Sequence, residues 1–135
     1  RDATIHAHGL TNDGDASYLA LSQTTDGRYS LTASEVARAR FAAAPLVILA
    51  ACETARTAPQ FAQRWSLPAA FVKAGARAVI APTTAVPDGD AGRFFDELRA
   101  RAGAGESIAK VLRDLRQQWI TDARADWVRD VVVFE

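Results

Sequence analysis

Two side chains in this sequence have the types and the spacing for nucleophilic chemistry. Cys52 closes the apolar run Leu46-Val47-Ile48-Leu49-Ala50-Ala51, and 44 residues earlier His8-Gly9 closes the stretch that begins at Ala3. With one cysteine and two histidines among 135 residues, few other pairings of a thiol with a base exist. If the two stretches are neighbouring strands, the imidazole can take the thiol proton, and the thiolate is a nucleophile for an amide carbonyl. Gly9 has no Cβ, so its backbone N–H can face that carbonyl; with the N–H of Cys52 it forms a candidate oxyanion hole. The same residues also have a plain reading. Cysteine is among the most buried residue types, and a histidine before a glycine can simply cap a loop. His6 shares a strand face with His8 and is read as a hydrogen-bonded core histidine. A metal site drawn from His6, His8, Cys52, Asp13 and Asp15 matches no known ligand spacing and is discounted.

Such a pair needs strands whose carboxyl ends lie side by side. Ala3 to His8 reads as one strand closed by Gly9, and Thr11 to Asp15 as a polar loop. Tyr18 to Ser22 and Arg28 to Leu31 flank an Asp26-Gly27 turn, the pattern of a small hairpin. Thr32-Ala33-Ser34-Glu35 matches a capping box, so a helix is expected from about Ser34 to Ala42, stopped by Pro45. Leu46 to Ala51 is apolar at every position, as in a strand covered on both faces of a parallel sheet. Thr54 to Gln63 carries no clear element. Ser66-Leu67-Pro68 starts a helix that ends at Gly75, and Ala76 to Ala81 is a third strand, broken by Pro82. A loop from Thr83 to Gly89 leads into a helix over Asp90 to Ala102. After Gly103 to Gly105 the last helix runs from Ser107 to Ala123, with Val111, Leu112 and Leu115 on one stripe. Val131 to Phe134 is the final strand. This alternation predicts an α/β sandwich with a mostly parallel sheet, whose ligands bind at the carboxyl ends of the strands.

The 16 basic and 16 acidic residues cancel without clustering, which argues against a nucleic-acid or membrane partner held by bulk charge. At 49% hydrophobic, the chain is long enough for one domain over residues 1–135 and too short for two. No apolar run approaches the roughly 18–20 residues of a membrane span. A single cysteine forms no internal disulfide, so the reducing cytoplasm is the expected location.

Ile5-His6-Ala7-His8-Gly9 and Leu46 to Thr54, with Cys52-Glu53 at its centre, resemble the two catalytic motifs of CHAT-domain peptidases. These are caspase-like cysteine peptidases, related also to separases. The likeness continues through Leu67 to Ala81, through Val86, Asp88 and Phe94-Phe95, and through Trp127 to Phe134. It implies a caspase-like α/β sandwich with His8 as general base, Cys52 as nucleophile, and the Gly9 and Cys52 amides as oxyanion hole. It implies endopeptidase action on a protein or peptide, without metal or organic cofactor, and a regulatory tetratricopeptide-like repeat outside this chain. Asp88, Glu53 and Thr84 are the substrate-binding candidates. Asp88 falls where many relatives carry an acid that receives a basic side chain, and a carboxylate there can pair bidentately with arginine. The expectation is a preference for Arg or Lys before the scissile bond. As an acid at a helix start, Asp88 also has a purely structural reading.

The chain departs from the family pattern in three places. Family members usually read Ser-Ala-Cys-Glu-Thr-Gly, whereas Ala50 replaces the serine and Ala55 the last glycine. Where Ser-Leu-Trp-Pro-Val-Asp-Asp is common, Pro82 to Asp88 reads Pro-Thr-Thr-Ala-Val-Pro-Asp, and Thr84 replaces a tryptophan wall of the pocket. Caspase-like folds also place two strands and a helix before the histidine strand. The chain is therefore expected to hold the domain from the histidine strand onward, lacking its first strands. The alternative function is a non-catalytic CHAT-like module for signalling or assembly, in which the pair never aligns. An amidase acting on small molecules is a third possibility.

Overall fold

A computed structural model describes residues 3–5, 8–10, 18–20, 25–28, 30–50, 58–60, 63–121 and 123–135. The elements in chain order are β1 (Ala3–Ile5), β2 (His8–Leu10), β3 (Tyr18–Ala20), β4 (Ser30–Thr32), α1 (Ala33–Arg38), β5 (Leu46–Leu49), β6 (Ala58–Gln60) and β7 (Gln63–Trp65). They continue as α2 (Leu67–Ala74), β8 (Ala78–Pro82), α3 (Asp88–Gly103), α4 (Ile108–Trp119), a 3₁₀ segment (Ala123–Asp130) and β9 (Val131–Phe134).

β5 and β8 form the centre of a four-stranded sheet of order β1-β5-β8-β9. The first three strands run parallel, and β9 pairs antiparallel with β8. Every residue of β5 and β8 is buried. Because successive side chains leave a strand on opposite sides, each strand feeds two cores. Leu46, Ile48 and Ile80 pack with Phe94, Phe95 and Leu115 of α3 and α4. Val47, Leu49 and Val79 pack with Val36 of α1 and with Leu67 and Phe71 of α2. Burying each large side chain contributes on the order of 1.5–3 kcal/mol, and helices on both faces are what allow a wholly apolar strand. The α/β sandwich with a mostly parallel sheet is thus the observed architecture.

Local sequence fixes where the covering helices start and stop. The hydroxyl of Thr32 accepts from the Glu35 amide at 3.2 Å, and the Glu35 carboxylate accepts from the Thr32 amide at 2.9 Å, closing the expected capping box. Arg28 pairs with the same carboxylate. The Thr32 backbone and hydroxyl, then Arg28, hold the Glu35 carboxyl below its ordinary 4.5. At α2 the Ser66 hydroxyl accepts from the Ala69 amide at 3.2 Å, with Pro68 in the first turn. Gly75 then ends the helix at φ 108°, where a Cβ would stand 3.2 Å from the Phe41 carbonyl oxygen. On the other face Phe94 meets Phe95, Trp119 and Trp127 edge-on, at centroid separations of 5.4, 5.4 and 5.2 Å. The Trp127 indole N–H is buried there without a hydrogen-bond partner among the described residues. Such an orphan donor costs about 1–3 kcal/mol, which the packing of the ring must offset.

Several expected boundaries move. The described residues of the stretch from Ala3 to His8 fall in two strands of different sheets. β1 ends at Ile5, level with the end of β5, while His8 and Gly9 open β2, whose backbone pairs with Ala20 and Leu19 of β3. Among the described residues the β1–β5 ladder ends at the Ile5–Leu49 pair, and the backbone of His8 and Gly9 finds its partners in a separate sheet, β2-β3-β4. The expected hairpin is present as β3–β4, but with β4 starting at Ser30. Helix α1 stops at Arg38 rather than near Ala42. The Phe41 amide is drawn to the Ala74 carbonyl at 2.8 Å and its ring stacks on Phe71. The segment from Thr54 to Gln63 hides most of a hairpin, β6–β7, with Pro59 in β6 and no alternating pattern to reveal it. The expected last helix divides: α4 ends at Trp119, and a 3₁₀ segment leads into β9. Helix α3 begins at Asp88, two residues early.

Two outcomes test this account. Phe94→Ala, which empties a site of 0% exposure, lowers stability by about 3–5 kcal/mol in urea unfolding. Glu35 contributes as a carboxylate whose folded pKa is depressed, so its stabilisation is present above 4.5 and is lost as pH falls below that value. The melting temperature of Glu35→Gln should therefore start lower at neutral pH and fall less steeply than wild type on acidification. Parallel curves would remove Glu35 from the account.

Candidate active site

The parallel register places the ends of β1 and β5 together. Ala3 faces Val47, Thr4 faces Ile48 and Ile5 faces Leu49, a constant offset of 44 residues. The same offset separates His8 from Cys52, which stand three positions after Ile5 and Leu49, the last described pair of the β1–β5 ladder. His8 and Gly9 lie on the backbone of β2, opposite Ala20 and Leu19. Cys52 and Glu53, like His6, lie outside the described residues, as do the side chains of His8 and Asp88.

β8 is the next strand across, and its carboxyl end supplies the other side of this edge. Val47 faces Val79 and Ile48 faces Ile80, so Thr83 leaves β8 close to the point where the chain leaves β5. The loop Thr83 to Pro87 is held at both ends. The Thr83 amide donates to the Asp130 carbonyl at 2.8 Å and its hydroxyl donates to the same oxygen at 3.1 Å. Val86 is buried in the core beneath α3. Between them Thr84 and Ala85 are exposed, and the Thr84 hydroxyl donates to the Asp130 carboxylate at 3.1 Å. Asp88 follows as the first residue of α3.

Asp130 is the residue that sequence patterns did not single out. It ends the 3₁₀ segment just before Val131, which faces Pro82 in the β8–β9 ladder. Arg116 of α4 steadies that segment: its Nε donates to the Val128 carbonyl at 3.2 Å, and its Nη2 donates to the Val131 carbonyl. Burial alone lowers the guanidinium pKa of Arg116. The signal for Asp130 existed only in the tertiary pairing of β8 with β9, because its partner Thr84 is 46 residues away.

Among the described residues, no group of three or more His, Cys, Asp or Glu is placed to hold a metal ion. A cleft of about 340 Å³ lies elsewhere, lined by Asp90, Arg93 and Glu97 of α3 and by Gln118 and Trp119 of α4, with no strand end contributing. Arg93 partly occupies that surface by pairing with Asp90 at 2.9 Å and stacking 5.4 Å from the Trp119 ring. No helix among the described residues is long and apolar enough to cross a membrane.

A doubly covered, mostly parallel sheet, with the motif-bearing segments leaving its carboxyl edge, defines a caspase-like α/β domain. The CHAT domain model matches residues 4–130, and the chain belongs to the CHAT family. No curated protein matches the chain.

Proposed function

We propose that the chain is a cysteine endopeptidase domain in which His8 and Cys52 form the catalytic dyad. The observation that carries this reading is the register of β1 on β5, whose offset of 44 residues is also the offset between His8 and Cys52. Two segments that leave a parallel pair at the same level start their loops side by side, at the edge where such sheets bind ligands. In this reading the His8 imidazole takes the Sγ proton of Cys52, and the thiolate attacks the carbonyl carbon before the scissile bond. The Gly9 and Cys52 amides stabilise the oxyanion. As the C–N bond breaks, the imidazolium returns its proton to the leaving amine and a thioester remains. Water, deprotonated by His8, hydrolyses that thioester and restores the thiol. Glu53, Thr84 and Asp88 line the substrate side, with Asp88 favouring Arg or Lys before the scissile bond. The substrate is a protein partner in the cytoplasm, and a tetratricopeptide-like repeat outside these residues regulates cleavage.

A non-catalytic CHAT module is the second reading. It draws support from the backbone of His8 pairing in β2 rather than in the main sheet, since a residue held in a separate ribbon need not face the end of β5.

Proteolysis of a panel of peptides and unfolded proteins separates the two. Cys52→Ala abolishes cleavage while leaving the melting temperature nearly unchanged, and His8→Ala lowers kcat/KM by about 10²–10⁴. A thiol-reactive electrophile labels Cys52 rapidly at neutral pH in the wild type and slowly in His8→Ala. Cleavage retained in Cys52→Ala, or labelling indifferent to His8, would overturn the dyad. Equal or better cleavage after acidic or small residues would remove the proposed role of Asp88.

A further inference from the structure

We propose that Asp130 is a positioning residue for the substrate loop that follows β8, and that its contact with Thr84 sets the selectivity of the site. The inference rests on the peptidase reading for its functional part and on geometry for the rest. Thr84 and Ala85 are the exposed residues of a loop pinned on either side, by Thr83 against the Asp130 backbone and by Val86 in the core. Between those pins, the Thr84 hydroxyl bond to the Asp130 carboxylate is a side-chain contact that holds the loop's outer surface. Its acceptor is charged, and hydrogen bonds to charged groups are the stronger kind. Arg116 makes Asp130 a firm support rather than a pendant side chain. It binds the carbonyls of Val128 and Val131, on either side of Arg129 and Asp130. The result is a relay from α4 through the 3₁₀ segment to the loop, running across the carboxyl end of β8 and the amino end of β9.

This arrangement makes Asp130 act through Thr84 rather than by meeting the substrate. An exposed loop surface that is fixed presents one shape to the residue before the scissile bond. Freed from Asp130, the same surface accepts several shapes, so discrimination falls before turnover of the preferred peptide does.

The test pairs hydrogen exchange of residues 83–86 with a selectivity ratio, measured in the full chain. The ratio is kcat/KM for the best residue before the scissile bond over that for the second best. Asp130→Ala and Thr84→Val each speed exchange of the Thr84 to Val86 amides about fivefold, the worth of one ordinary hydrogen bond, and narrow the ratio by a similar factor. The double variant adds nothing to either single change, because both remove the same bond. Asp130→Asn keeps an acceptor for the hydroxyl and retains both the protection and the ratio. If Asp130→Asn keeps the exchange protection yet narrows the ratio as Asp130→Ala does, the charge itself reads the substrate and the positioning role is overturned. Exchange unchanged in both single variants overturns it as well. A wild-type protein that cleaves no peptide counts against the peptidase reading, and the exchange measurement then decides the role of Asp130 alone.

Discussion

Backbone hydrogen bonds between β5 and β8 run through a layer closed to water on both sides. Neither strand can slip without leaving buried polar groups unpaired and turning each core face inside out. Leu46 through Leu49 and Ala78 through Pro82 are all buried, so the pairing of Leu46 with Ala78 and of Ile48 with Ile80 is strongly specified. Everything else is referred to that pair. β1 takes its level from β5, β9 takes its level from β8, and the helices fill the two faces.

A sheet covered in this way leaves its ends as the places for chemistry. Chain segments that leave the carboxyl ends of β1, β5 and β8 must turn there, and their first residues are close because the strands are. β1, β5 and β8 are spread over about 80 residues of sequence, yet all three end at one edge of the sheet. This is why belonging to the CHAT family and the proposed chemistry are separable statements. The family model and the sheet concern the scaffold, whereas the proposed dyad concerns side chains that a scaffold alone does not align.

The parts of the fold that were legible in the sequence were those governed by local or strictly periodic physics. The unbroken apolar run at Leu46 betrayed a strand buried on both faces. Thr32 with Glu35, and Ser66 with Pro68, marked helix starts, and Gly75 marked an end through a backbone angle that side chains resist. What failed depended on distant partners. The end of α1 was set by Phe41 docking on α2, and the pairing of His8 and Gly9 was set by β3, which offers them a ladder in a second sheet. The last helix split because Arg116 and the Trp127 cluster hold a 3₁₀ segment that no period announces. Within the site, Thr84 was visible as a departure from the family pattern. Asp130 was not, since its meaning lies in a contact across the sheet.

The bond from the Thr83 amide to the Asp130 carbonyl has an architectural consequence of its own. β8 and β9 are sheet neighbours, so α3, α4 and the 3₁₀ segment form an excursion that leaves and rejoins the sheet at almost the same point. The length of such a detour enters stability only through the logarithm of the residues it closes. The turn around Gly103 to Gly105 is exposed and far along the chain from either anchor. Lineages can lengthen or shorten this layer there, and so reshape one flank of the domain, while the strand ends that define the edge keep their places.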